Sequence, residues 1–263
     1  LALFILPLAS LALRSVTHLE SSRLDAHPLA RGLTLDFYRE LSVNRRQSMF
    51  YAPPTTAILL SMGYAAVTVG LSLLMGLPAA WSLSRSTRDP LSRMMDPLLM
   101  LPLGTSAVTL GLGFIVALDQ PPFNLRNSWV LIPLAHTLVA FPFVVRSLTP
   151  ALHSIRPQVR QAAATLGASP GIVFRAIDLP LVGRSLLVAA VFAFTISLGE
   201  FGATALIARP EYPTVPVAIY RFLSQPGALN YGQALALSTL LMILTSLGII
   251  MIERFRIAEV GEF

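Results

Sequence analysis

The sequence predicts an all-α membrane protein of about six transmembrane helices, the first of them truncated. Three observations lead there. Apolar residues make up 54% of the 263-residue chain and charged residues only 12%, whereas a soluble domain carries about 25% charge. Mean hydropathy is +0.69. The apolar residues also fall into long blocks, and ~30 Å of hydrocarbon needs about 20 helical residues at 1.5 Å each. Long intrinsic disorder is excluded by the same apolar content. With no cysteine in the chain, disulfides, thiolate metal sites and cysteine nucleophiles are excluded too.

A net charge of +6 and a pI near 10.5 would ordinarily suggest a nucleic-acid partner. All 19 basic residues are arginines, however, and they lie between apolar blocks rather than on one stripe, which argues for no nucleic acid. The absence of lysine also removes Schiff-base chemistry and the phosphate-loop lysine.

Residues 1–13 are apolar but too short to span, reaching only about 20 Å. They are expected to be the end of a truncated first helix. A signal-peptide core is the competing reading, but no basic segment precedes it. A 14–56 loop follows, extracytoplasmic if the first stretch runs inside to outside, with a short LTLDFY stretch at 33–38. The block 57–254 then holds five expected spans. Span 57–81 is uncharged and ends at Trp81, as an aromatic belt predicts. Span 98–118 is uncharged and glycine-rich. Asp119 with Pro121 and Pro122 ends it as a turn. Span 128–145 is apolar apart from His136 and is closed by Arg146. Span 185–208 carries one charge, Glu200, and span 234–252 stops at Glu253 and Arg254. The tail is 255–263. Small residues such as Gly111, Gly199 and Gly202 suit close helix packing in lipid. Charge counting leaves the orientation open. With the first stretch running inside to outside, ten arginines lie inside and three in the short outer loops, but the 14–56 loop adds six outside.

The connection 146–184 is the most informative. Pro157 suits a helix start, Gln158–Leu166 favours helix, and Gly167 suits a C-cap. A second short helix is expected over 172–177, ending at Leu179-Pro180. These residues describe an amphipathic hairpin between two spans. The region of Arg85, Arg88 and Asp89 is expected to be a solvated loop.

The hairpin contains Gln161-Ala162-Ala163, three residues, Gly167, nine residues, then Ile177, Asp178, Leu179 and Pro180. This run resembles the EAA motif of ABC-importer permeases, E-A-A-x3-G-x9-I-x-L-P. Only Gln161 departs, keeping the size of glutamate but not its charge. The resemblance extends over about 57–254 and implies a type I importer permease fold. It implies that 146–184 is a cytoplasmic coupling loop seated on an ATPase subunit, with Gln161, Ala162, Ala163, Gly167, Ile177, Leu179 and Pro180 at the contact. That implication also fixes the orientation. The implied partners are a dimer of ABC ATPase subunits, a second permease half (fused or separate), an extracytoplasmic solute-binding protein and the lipid bilayer. The implied location is the bacterial inner membrane, as a multi-pass protein. ATP-Mg would be bound by the ATPase, leaving no cofactor in this chain. The truncated opening would suit the C-terminal half of a fused permease.

The run Gly199-Glu200-Phe201-Gly202-Ala203 is similar to permeases for thiamine, ferric iron, and molybdate or sulfate. Glu200, Gly199, Phe201 and Gly202 are therefore candidate pathway residues. A carboxylate is expensive in lipid and must face the bundle or a watery path. Glu200 is thus either a pathway group or a structural one bonded to a neighbouring helix. Gly199 and Gly202 favour close packing over a helix break. His136 is expected to be a satisfied packing residue rather than a metal ligand. Together with the long outer loop, the run favours thiamine or ferric iron as the substrate, with molybdate or sulfate as the alternative. An ATPase-independent secondary transporter would need paired intramembrane ionisable groups, and only Glu200 qualifies. No catalytic motif points to an enzyme.

Overall fold

The computed structural model describes residues 2–17, 33–43, 53–85, 90–121 and 124–260. Most of the 14–56 connection, Arg88, Asp89 and Pro122 lie outside the described residues. So do 261–263 of the tail. In chain order the helices are α1 (Ala2–Ser15), α2 (Asp36–Glu40), α3 (Pro54–Arg85), α4 (Pro90–Gly104), α5 (Ala107–Leu118) and α6 (Leu131–Ser154). They continue with α7 (Pro157–Thr165), α8 (Pro170–Val173), α9 (Leu179–Leu181), α10 (Gly183–Gly199), α11 (Thr204–Ile207), α12 (Val215–Leu223) and α13 (Ala228–Val260).

Three of these, α3, α6 and α13, are long and apolar enough to cross a membrane, and two bent helix pairs bring the number to as many as five. The centre is α6. It is 67% buried within its most apolar window, against 28% for α3 and for α13. Around it α3, α6 and α10 pack on one another, and α13 closes against α10. The main core joins Ala140, Phe141, Val144, Val145 and Leu148 of α6 to Ala80 of α3 and to Ala189 and Ala193 of α10. Apolar faces that leave this bundle stay uncovered, for example Leu59 and Leu74 of α3 and Ile249 and Ile250 of α13. A lipid-facing helix is expected to look like this.

Several expected boundaries differ. The stretch 98–118 is two helices, with α4 and α5 bent by 107° across Thr105 and Ser106. Pro97 and Pro102 sit within α4, and proline removes ladder hydrogen bonds and bends helices without lowering hydropathy. The stretch 185–208 also breaks. Helix α10 ends at Gly199 and Glu200 is extended, with φ −71 and ψ 120. By contrast α6 runs on through Arg146 to Ser154. Arg146 is exposed there, and a charged side chain marks the membrane boundary, not the end of the helix. The LTLDFY stretch forms α2, whose Phe37 is buried against Gly232 of α13.

Candidate functional site

The 146–184 connection is built as a projecting hairpin. Pro157 starts α7, where its missing N–H costs nothing. The helix ends in a Schellman motif: the N–H of Ala168 reaches the Ala163 carbonyl at 3.0 Å, and that of Gly167 reaches Ala164 at 3.0 Å. Gly167 adopts φ +86, the left-handed region in which a Cβ is unfavourable. The glycine of the motif therefore sets the reversal. No residue of α7 is buried. Gln161 and Ala162 are exposed, Ala163 is half-buried, and Leu166 is 88% exposed.

The second half of the hairpin is longer than the expected 172–177. Helices α8 and α9 are joined through one π-helical turn, Phe174–Asp178, so that Leu179 and Pro180 lie inside the helix. Pro180 has no N–H to give to Ala176, and its ring crowds that carbonyl. A widened turn absorbs both effects. Ile177 and Leu179 are half-buried and Pro180 is exposed.

Asp178, which carried no role in the sequence pattern, is the pivot of this loop. It is 0% exposed. One carboxylate oxygen accepts from Arg160 Nε of α7 at 2.7 Å, and the other from Trp81 Nε1 of α3 at 3.0 Å. Arg160 also donates from Nη2 to the Leu152 carbonyl of α6 at 3.2 Å. The Trp81 ring meets Phe174 edge-on, with centroids 5.7 Å apart. One clasp thus ties α7 and the π turn to the ends of α3 and α6. Its partners lie as far apart as residues 81 and 178, so no local pattern reveals them. The available signal was an acid between Ile177 and Leu179 in an apolar run.

Glu200 lies across the bundle, about 25 Å of helix beyond the start of α10 at 1.5 Å per residue. It is buried and faces inward. Its carboxylate accepts the N–H groups of Ala203 at 2.9 Å and Thr204 at 3.1 Å, and the Thr204 hydroxyl at 2.7 Å. Such charge-assisted bonds satisfy donors freed where the helix breaks. His136 stands beside it, with Nε2 3.5 Å from the carboxylate. The His136 ring nitrogens pair with Ser197 and Thr204 hydroxyls at 2.7 Å each. Ser197 continues to Thr68 at 3.3 Å. The network joins α3, α6, α10 and α11. No group of three or more metal-ligating side chains occurs among the described residues.

The neighbours of Glu200 separate. Gly202 packs so tightly on α5 that a Cβ would lie 2.8 Å from that of Ala107, and Gly111 meets Ala203 in the same way. Gly199 has open space around it and simply ends α10. Phe201 is at the surface, its ring 5.4 Å from that of Tyr220. The elbow therefore combines both alternatives, a break at Gly199 and close packing at Gly202, although packing is the one the sequence favours.

No protein-family model matches the sequence. The molybdenum transport system permease protein ModB of Mycobacterium tuberculosis is 36% identical over 206 residues, covering 73% of this chain and 76% of that one. ModB of Escherichia coli is 33% identical, over 74% of this chain and 91% of its own. A putative 2-aminoethylphosphonate transport system permease, PhnV of Salmonella typhimurium, is 30% identical over 72% of each. Among solved structures, a bacterial ABC transporter that imports the acidic polysaccharide alginate superposes with a TM-score of 0.65. The match covers 96% of this chain and 91% of that one at 18% identity. At that identity it shows a shared fold. The relatives are transport permeases, not enzymes, and the chain belongs to the ABC-importer permease family of membrane proteins.

Proposed function

We propose that this chain is the translocation subunit of an ATP-driven importer for a small oxyanion of the molybdate class. The relatives named for their cargo carry molybdenum or 2-aminoethylphosphonate, which supports the molybdate alternative over thiamine or ferric iron. In this reading a binding protein delivers the anion at the outer face of the bacterial inner membrane. A second permease half completes the path, and two ATPase subunits holding ATP-Mg seat the coupling loops. The superposed alginate importer has also been solved with its periplasmic protein.

The observation that carries the ATPase contact is α7. It projects from the bundle with no buried residue, yet Arg160 and Asp178 anchor it. Gln161, Ala162, Ala163 and Gly167 form the docking face. Ile177, Leu179 and Pro180 shape the return helix behind it. A rigid-body closure of the ATPases would pull on α7, and the clasp would pass that pull to α3 and α6. Glu200 is read as the brace of the elbow rather than a group that meets the substrate.

Uptake of radiolabelled molybdate by cells lacking their own importer tests the reading. Co-expression with the cognate ATPase and binding protein should restore uptake, and Gly167→Pro should abolish it. Restored uptake of thiamine instead would overturn the choice of cargo.

A further inference from the structure

At the end of the bundle opposite the coupling loop lies a cavity of about 210 Å³. Tyr64, Arg126, Ser128, Arg209 and Tyr212 line it, over a floor that includes Ile207. Organic ligands usually occupy pockets of about 300–1,000 Å³, so this one suits a small ion and not a sugar. Two guanidinium groups offer forked donors matched to the oxygens of a tetrahedral anion. The tyrosine and serine hydroxyls add neutral donors.

One arginine is ion-paired and the backbone beside the other is fixed. Arg126 Nη1 pairs with Asp119 at 2.8 Å, which leaves its other donors for a second acceptor. The loop that carries Arg209 is pinned by Arg221, which donates to the Pro210 carbonyl at 2.8 Å and to the Arg209 carbonyl at 3.2 Å. Against Asp119 and Glu211, the three arginines leave the region positive. Helix α11 links the cavity to the Glu200 elbow, since Thr204 at its start bonds Glu200 and Ile207 at its end lines the cavity.

We propose that this cavity is an oxyanion-holding site at the outer mouth, where an anion of the molybdate or phosphonate class rests between Arg126 and Arg209. The proposal builds on the oxyanion reading above and adds a site in the permease itself. Occupancy is weak, because a transported ion must leave as readily as it enters.

The test uses the permease–ATPase complex in nanodiscs without binding protein, and equilibrium dialysis against radiolabelled molybdate. Wild type should bind saturably, with competition by 2-aminoethylphosphonate and none by thiamine. Arg126→Gln and Arg209→Gln should each weaken binding about tenfold, the loss of one charge-assisted contact. Because the chain has no cysteine, Ser128→Cys supplies an independent probe. Molybdate should slow the labelling of this variant by a membrane-impermeant maleimide. The site would be overturned by undiminished binding in both glutamine variants, by maleimide labelling of Ser128→Cys that molybdate does not slow, or by a wild type that imports molybdate without binding it here. Cells that import neither anion would instead sink the oxyanion reading as a whole.

Discussion

Removing the Asp178 carboxylate would take an acceptor from two donors at once, Arg160 Nε and the Trp81 indole N–H. Breaking one side of a buried pair typically costs about 3 kcal/mol or more. Asp178→Ala should therefore lower the thermal midpoint of the purified complex clearly. Asp178→Asn keeps an acceptor for Trp81 and should fold. It should hydrolyse ATP but move fewer anions per ATP in proteoliposomes, and an unchanged ratio would remove the clasp from the transmission path. Glu200 makes a contrasting case. Glu200→Ala leaves two buried N–H groups and a hydroxyl without their acceptor, each costing about 1–3 kcal/mol. Glu200→Gln retains one acceptor oxygen and should recover most of the stability and uptake. Loss of uptake in a stably folded Glu200→Gln variant would instead make the charge itself functional.

At the scale of elements, the coupling hairpin was legible from its residues. Pro157, Gly167 and the spacing to Pro180 act locally, through the missing N–H and the left-handed turn. Gly167→Ala should cost about 1–2 kcal/mol at φ +86 and reduce ATPase retention during purification in mild detergent. Gln161→Glu restores the family residue on an exposed surface. It should strengthen retention at low salt by no more than about 1 kcal/mol. Hydropathy alone did not reveal the breaks at Thr105 and Glu200. Hydropathy reports what surrounds a residue, and it stays high on both sides of a bend. The direction of α5 is instead fixed by contacts with the elbow. The π turn was hidden for a related reason. A proline between Leu179 and Leu181 predicts an ending, and the widened turn before it lets the helix continue.

For the whole molecule, apolar blocks and scarce charge were enough to give the membrane class and the helical architecture. The inter-helix network could not be read, because Thr68 and His136 lie long stretches of chain away from Ser197, Glu200 and Thr204. The elbow packs against α5 with no room for a Cβ at either Gly202 or Gly111. Gly202→Leu should force α5 away from Ala203, lowering both the thermal midpoint and uptake, while the hairpin at the far end still retains the ATPase. Simultaneous loss of ATPase retention would mean that the two ends fold as one cooperative unit.

The exposure of α7 reaches beyond this chain. A helix that buries none of its residues against its own protein can change its exposed positions without a folding penalty. Partner choice is therefore free to drift along the Gln161 face while the spans stay fixed. Transplanting α7 alone, with Arg160 kept, should hand one importer's ATPase preference to another.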